Sequence, residues 1–362
     1  MNNSVLIICT SLNMGGSEKQ AVWLANKLVE ENKNVYFVSL KDAGILSSEL
    51  SPRISVNNFK LRNAKNPLTK FLYFCFGVLK LAKLIKSKKI TITVTFLFHS
   101  NVVGKLLKII SREKILHIAT FRSDRLSKRD SKISRFRTLT FKHFVLDKDI
   151  FVVFNSMSGL KNMNLKNVNT RVIFNTPLNN VQSSKATKKK NTKLVFVGRF
   201  DELKNVENIA LSMKYLQNED ILLDIYGKGP DLFFIEKAIS ENNLQTKVKL
   251  KGIDKEIANK LSNYDALIIA STHDAFPNVL IEAMNAGVVP ISTKVGDCEW
   301  LLNGNRGIFI NGFDPESISL SIKKFYEMDL NKKNEIIKNG RDFINQNLSE
   351  EKIIKDWLDI LF

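Results

Sequence analysis

Short apolar runs alternate with amphipathic stretches along the whole chain, and the alternation starts afresh after a polar, lysine-rich interruption at 177–192. Strands that are apolar throughout belong to parallel sheets covered on both faces, and the segments between them supply the covering helices. In the first half, 5–9, 35–40, 91–96, 115–120, 150–154 and 171–174 have strand character, and 17–30, 68–87, 100–112 and 131–146 have helical spacing. In the second half the strands fall at 194–197, 222–226, 248–251, 266–270 and 288–292. Helices are expected there at 205–216, 231–242 and 256–263, after Pro277, and again toward the end of the chain. The expectation is an α/β protein with two Rossmann-like parallel-sheet domains facing across a cleft, with ligands held outside the carboxyl ends of the strands. The domains are drawn at 1–176 and 193–348, with a linker at 177–192 and a terminal helix at 349–362.

Composition bounds the partners. With 362 residues, 44% of them hydrophobic, two cores can be buried. No apolar run approaches the roughly 20 residues that cross a bilayer. The chain enters its first apolar run without a basic leader, and no signal peptide is expected. Cys9, Cys75 and Cys298 are widely spaced and lack metal-ligand spacing, which fits reduced thiols in the cytoplasm. Charge is uneven: residues 1–180 hold 30 basic and 10 acidic side chains, and the remainder 25 and 26. The first half is therefore expected to meet an anionic ligand or surface. Within it, Phe71, Phe74, Phe76, Leu79 and Leu81 interleave with Lys70, Lys80, Lys83, Lys86, Lys88 and Lys89. This is the pattern of a basic helix lying on a membrane surface, or of a core helix with solvated lysines. Arg122, Arg125, Lys128, Arg129, Lys132, Arg135 and Arg137 form a second basic cluster.

The most informative run is Asp274-Ala-Phe276-Pro277-Asn278-Val279-Leu-Ile-Glu282-Ala283-Met284-Asn-Ala286-Gly287, followed by Pro290. Pro277 suits the first turn of a helix and Gly287 its end. A loop bearing Asp274 would then lead into a helix bearing Glu282 about one turn in. The N–H groups at such a helix start favour a phosphate. Two further turns sit where strands meet helices: Gly15-Gly16, before Ser17-Glu18, and Gly198-Arg199-Phe200, before Lys204-Asn205. The first is either a phosphate-approach turn or an ordinary loop pair. The second places two cations at a strand's carboxyl end, where they can neutralise a diphosphate.

Taken together, these runs resemble the retaining glycosyltransferases of family 4, which have the two-domain GT-B fold and use nucleotide-sugar donors. The likeness spans nearly the whole chain and is strongest across 195–300. The family usually carries Glu at the position of Asp274. Met14-Gly15-Gly16-Ser17-Glu18 is similar to the family's Gly-Gly-Ala-Glu turn, Gly198-Arg199 and Lys204 to its Gly-Arg and Lys pair, and Gly227-Lys228-Gly229-Pro230 to its Gly-x-Gly-Pro turn. Asn175 matches a common Asn at the end of the first domain. The resemblance implies that Glu282 holds the donor ribose and that Asp274 contacts the sugar, with N–H groups near Phe276, Pro277, Asn278 and Val279. Arg199 and Lys204 would stabilise the leaving diphosphate, so that a metal is dispensable and no cofactor is needed. Gly227 makes room for the nucleotide, and the loop at Gly252-Ile253 holds the base through its backbone. It also implies that the last helix packs back on the first domain.

His99, opening a helix after the strand at 91–96, touches donor or acceptor, or caps and packs. Where many relatives place a histidine beside the sugar, this chain has Arg122, which stays protonated and cannot act as a base. Asp147-Lys148-Asp149 matches a metal-binding triplet of a different fold by chance. The implied partners are a nucleotide-sugar donor, UDP-linked in the first instance, a polyprenyl-diphosphate-linked or oligosaccharide acceptor, and an anionic membrane surface. The implied pathway is surface-polysaccharide assembly of the O-antigen or capsule type, with the enzyme peripheral on the inner membrane face. A sugar-nucleotide epimerase of the same fold would need further carboxylates at the sugar. A nucleic-acid-binding protein lacks its recognition motif, and a nicotinamide dehydrogenase lacks the glycine fingerprint.

Overall fold

The computed structural model describes residues 4–13, 15–41, 44–58, 66–111, 114–122, 139–146, 149–179 and 191–362. Met14, the basic residues from Arg125 to Arg137, Asp147, Lys148, Lys188 to Lys190 and the first half of the helix expected at 131–146 lie outside these residues. The chain divides into two units, Met1–Asn175 with Glu351–Phe362, and Thr176–Glu350.

Unit 1 is built on a seven-stranded sheet, β1 (Ser4–Cys9), β2 (Asn34–Ser39), β3 (Ser55–Asn58), β4 (Ile90–Phe96), β5 (Leu116–Phe121), β6 (Ile150–Phe154) and β7 (Asn169–Val172), in the order 3-2-1-4-5-6-7. Every pairing is parallel. β1 is central and fully buried, which is why it reads as an unbroken apolar run. The helices Gly16–Glu30, Pro67–Ser87, Phe98–Ile110 and Met157–Met163 connect the strands. The last helix of the chain, Glu350–Leu361, buries Ile353, Ile354, Trp357 and Leu361, a stripe at helical spacing. Trp357 lies against Phe96 with ring centroids 6.4 Å apart, and Asp356 pairs with Arg171 at 3.1 Å. These contacts make the terminal helix part of unit 1.

Unit 2 carries six strands, β8 (Thr192–Val197), β9 (Ile221–Tyr226), β10 (Val248–Gly252), β11 (Ala266–Ile269), β12 (Val289–Thr293) and β13 (Ile308–Ile310), in the order 10-9-8-11-12-13. They too are parallel. Both sheets share the doubly wound plan, in which the strand order reverses beside the first strand of each unit. The core of unit 2 is lined by Phe196, Ile209, Leu223, Ile225, Ile268, Ile291, Ile322 and Phe325. Two strands were not anticipated, β3 and β13, of four and three residues at the sheet edges. Runs so short carry no periodicity.

Two expected helices are interrupted. The one at 205–216 begins at Val206, because Asn205 adopts the left-handed conformation (φ 55°), and it tightens into a 3₁₀ turn at Met213–Leu216. Asn tolerates that conformation better than most residues. The one at 256–263 is a short helix, Ile257–Lys260, followed by a 3₁₀ turn, Leu261–Asn263.

Candidate functional site

The carboxyl ends of β8 and β11 are neighbours at the switch point of unit 2, and their loops supply the candidate residues. After β8 the chain passes Gly198 and Arg199 into a 3₁₀ turn, Glu202–Lys204, closed by the Lys204 N–H on the Asp201 carbonyl at 2.9 Å. After β11, the Thr272 N–H donates to the Leu203 carbonyl at 2.9 Å. That bond ties the two loops together and sets Lys204 opposite Asp274. Lys204 Nζ donates directly to the Asp274 carboxylate, and both side chains are largely buried. Burial works against the Lys204 charge, but the adjoining Asp274 outweighs it and raises the ammonium pKa above its ordinary value. Lys204 is therefore a fixed cation at neutral pH. Arg199 differs: its side chain is 66% exposed, with Nε 3.5 Å from the Asp201 carboxylate.

Pro277 does not enter the helix it precedes. The helix runs Asn278–Ala286 with Pro277 as its extended N-cap residue (φ −73°, ψ 114°). It ends at Gly287 in the left-handed region (φ 76°), where the Val288 N–H reaches the Ala283 carbonyl at 2.9 Å. Glu282, one turn in, is 9% exposed. Phe276 is buried beneath the loop and Val279 half-buried on the first turn. The helix dipole and the N–H groups of that first turn provide a partial positive charge beside Asp274 and Lys204.

The sequence left several supporting residues unseen. Gly296 (φ 53°) comes so close to the Asp274 loop that a Cβ would stand 2.0 Å from the Asp274 carbonyl oxygen. The Asp297 N–H donates to the Ala275 carbonyl at 2.9 Å. The Val295-Gly296-Asp297 turn after β12 was the signal available for it. Asn179, in the stretch read as linker, is buried and donates from Nδ2 to the Glu282 carbonyl at 2.9 Å, which steadies the helix. Gly227 (φ 143°) closes against the β8 loop, where a Cβ would meet the Gly198 carbonyl oxygen at 1.8 Å. Its own N–H reaches the Gly252 carbonyl at 2.7 Å, and the next residue, Ile253, is exposed. The structure thus brings Gly198, Lys204, Gly227, Asp274 and Gly252-Ile253 onto interlocked loops.

Gly15, Gly16 and His99 belong to unit 1. Gly15 precedes the helix Gly16–Glu30 without a side-chain cap. A Cβ on Gly15 would come within 2.2 Å of Glu18 Oε2, and Ser11 Oγ donates to Glu18 Oε1 at 3.1 Å. Burial raises the Glu18 pKa above the usual carboxylate range. His99 is exposed near the start of Phe98–Ile110, edge-on to Phe98 at 5.6 Å, and follows Leu97, whose φ of 74° is unusual for a leucine. The buried histidine of this unit is His117, bonded to Thr95 Oγ1 at 3.0 Å. Its pKa is lowered to about 3 by burial and by Lys108 and Lys105 nearby. Asp149, from the chance triplet, accepts from Lys108 Nζ through its main-chain oxygen at 2.7 Å. Among the described residues, no group of three or more His, Cys, Asp or Glu side chains is placed to hold a metal.

Two doubly wound units with these loops at the second switch point define a GT-B protein. Anabaena HepE, solved in complex with UDP and glucose, superposes with a TM-score of 0.81 over 99% of this chain and 98% of that one, at 16% identity. The second unit matches the family described as glycosyl transferases group 1 over residues 179–343, and the chain has the GT-B fold. It is 24% identical over 334 residues to the Campylobacter jejuni N-acetylgalactosamine-N,N'-diacetylbacillosaminyl-diphospho-undecaprenol 4-alpha-N-acetylgalactosaminyltransferase, covering 89% of this chain and 90% of that protein. It is 22% identical over 221 residues to the Bacillus anthracis N-acetyl-alpha-D-glucosaminyl L-malate synthase, covering 60% of this chain and 54% of that protein. The chain spans about half the length of this synthase and of several other curated relatives it matches.

Proposed function

We propose that this protein transfers a hexose or N-acetylhexosamine, with retention, from a UDP-sugar to a lipid-linked or saccharide acceptor in surface-polysaccharide assembly. The observation that carries the reading is the Lys204–Asp274 ion pair, held at the switch point of unit 2 beside the start of the Glu282 helix. Diphosphate departure places negative charge where none stood before, and a cation already fixed there lowers the barrier without reorganising. Lys204 is that cation. Asp274 keeps Lys204 charged and oriented, and its second oxygen is available to a sugar hydroxyl. Arg199, exposed and more loosely held, closes on the diphosphate when the donor arrives. Glu282 holds the ribose. These two cations take the part that a divalent metal plays elsewhere, so turnover is expected to survive EDTA. The names of the relatives support the substrate classes: one is an N-acetylgalactosaminyltransferase acting on a diphospho-undecaprenol-linked saccharide, and one structural neighbour was solved with UDP and glucose. Releasing UDP from a panel of UDP- and GDP-sugars tests the reading. Release from none of them, with the protein folded, contradicts it.

A membrane surface is the further partner we propose. On the helix Pro67–Ser87, Val78, Leu81 and Ile85 face the core, while Leu72, Phe76 and Leu79 are exposed on the opposite stripe, Phe76 at 70%. The same outer face continues into Lys83 and Lys86. Apolar side chains followed by lysines suit insertion at an anionic lipid interface. Among the described residues no helix is long and apolar enough to cross a membrane. Replacing Phe76 and Leu79 with Ser should weaken sedimentation with anionic vesicles; undiminished sedimentation would remove this partner.

A further inference from the structure

At the carboxyl edge of the unit 1 sheet stands a guanidinium, that of Arg122, with no carboxylate paired to it among the described residues. Phe121 at the end of β5 is in register with Phe154 of β6, and the Asn155 N–H continues that pairing to the Phe121 carbonyl at 3.2 Å. The Ile173 N–H joins the Phe154 carbonyl at 2.8 Å. Arg122, Asn155 and Asn175 therefore follow one another across adjoining strand ends. Arg122 Nη1 donates to Asn175 Oδ1, and the guanidinium carbon lies 4.8 Å from the Phe96 ring centroid. Its Nε is sealed from solvent with no acceptor, and Asn155 Oδ1 is sealed from solvent with no donor. Among the described residues no carboxylate pairs with Arg122, although the residue is only half-buried and open to a ligand. Burial lowers its pKa to about 9. Proteins seldom leave a desolvated cation unpaired unless a ligand completes it.

We propose that Arg122, with Asn155 and Asn175, forms an oxyanion-binding site that takes a phosphate group of the substrate. The planar guanidinium can bond two oxygens of one phosphate, and the Asn155 amide, turned about its last torsion, adds an N–H donor. The phosphate comes from the donor diphosphate or from a phosphorylated acceptor, and only this question of source rests on the sugar-transfer reading.

The test titrates two matched pairs, UDP with uridine and geranyl diphosphate with geraniol, into the full chain and its variants at one salt concentration. Arg122→Met should weaken one charged member at least tenfold and leave its neutral counterpart unchanged; the affected pair identifies the source. Asn175→Asp supplies the missing carboxylate. It should raise the Tm while weakening the same charged probe, an outcome that a purely structural Arg122 would not give. Charged probes that bind both variants within twofold of wild type overturn the site, as does a loss shared equally by the neutral counterparts. Failure of UDP to bind the wild type sinks the donor reading alone, and the geranyl pair still decides Arg122.

Discussion

The carboxyl edges of the two sheets hold their cations in opposite ways. In unit 2, Lys204 is matched to Asp274 and Arg199 stands near Asp201, so positive charge is fixed and partly balanced before any ligand arrives. In unit 1, Arg122 is held by an amide and an aromatic face, with no acid paired to it among the described residues. A paired cation keeps its position and protonation when the site is empty. An unpaired one stores an unfavourable state that an anion relieves. The difference suits two tasks, a preorganised transition-state stabiliser and a binding group completed by its ligand.

The strongest way to break this contrast is Lys204→Met. Loss of a fixed cation at the leaving group should reduce kcat by about 10²–10³, on the scale of losing one oxyanion donor. Steady-state UDP release checks it, and unchanged kcat would place the chemistry elsewhere. Gly296→Val tests whether the Asp274 loop depends on backbone contact. Its side chain meets the Asp274 and Ala275 carbonyls at a positive φ, so destabilisation of about 3 kcal/mol is expected in urea unfolding.

Stability then sharpens the comparison. Lys204→Met strands Asp274 and should cost about 2 kcal/mol, whereas Arg122→Met removes an uncompensated charge and should cost far less. Equal losses in denaturant titrations would erase the distinction.

Unit 1 should also be the acid-sensitive half. His117 is neutral when folded, with a pKa of about 3 against an ordinary 6.5, so the unfolded chain binds the extra proton between those values. Its contribution is intact above pH 6.5 and falls as pH drops, by about 2 kcal/mol at pH 5. His117→Asn should flatten the Tm-versus-pH curve over that window. The smallest effect concerns the terminal helix: breaking the half-exposed Arg171–Asp356 pair with Asp356→Asn should cost about 0.5 kcal/mol.

How much of this was legible follows from what each signal depends on. Buried parallel strands announce themselves as apolar runs, and β1, β4, β6, β9 and β12 could be placed within a residue or two. The edge strands β3 and β13 are too short for that. The run from Asp274 to Gly287 showed a loop and a helix, but not that Asp274 would grip Lys204, a partner 70 residues away. That contact depends on Asn205 turning left-handed and on Thr272 binding Leu203, neither of which has a periodic signature. Gly296 and Asn179 act only through tertiary neighbours. Arg122 could be read as a departure from a family pattern, while the lack of a paired acid among the described residues is visible only in three dimensions.

The central claim is that unit 2 binds a nucleotide diphosphate through Lys204. Calorimetric titration of UDP into the wild type and Lys204→Met, each with excess EDTA, tests it directly. The account predicts saturable binding by the wild type and a loss of at least tenfold in the variant. Equal affinity in the two proteins, or binding that vanishes from the wild type on chelation, would contradict it.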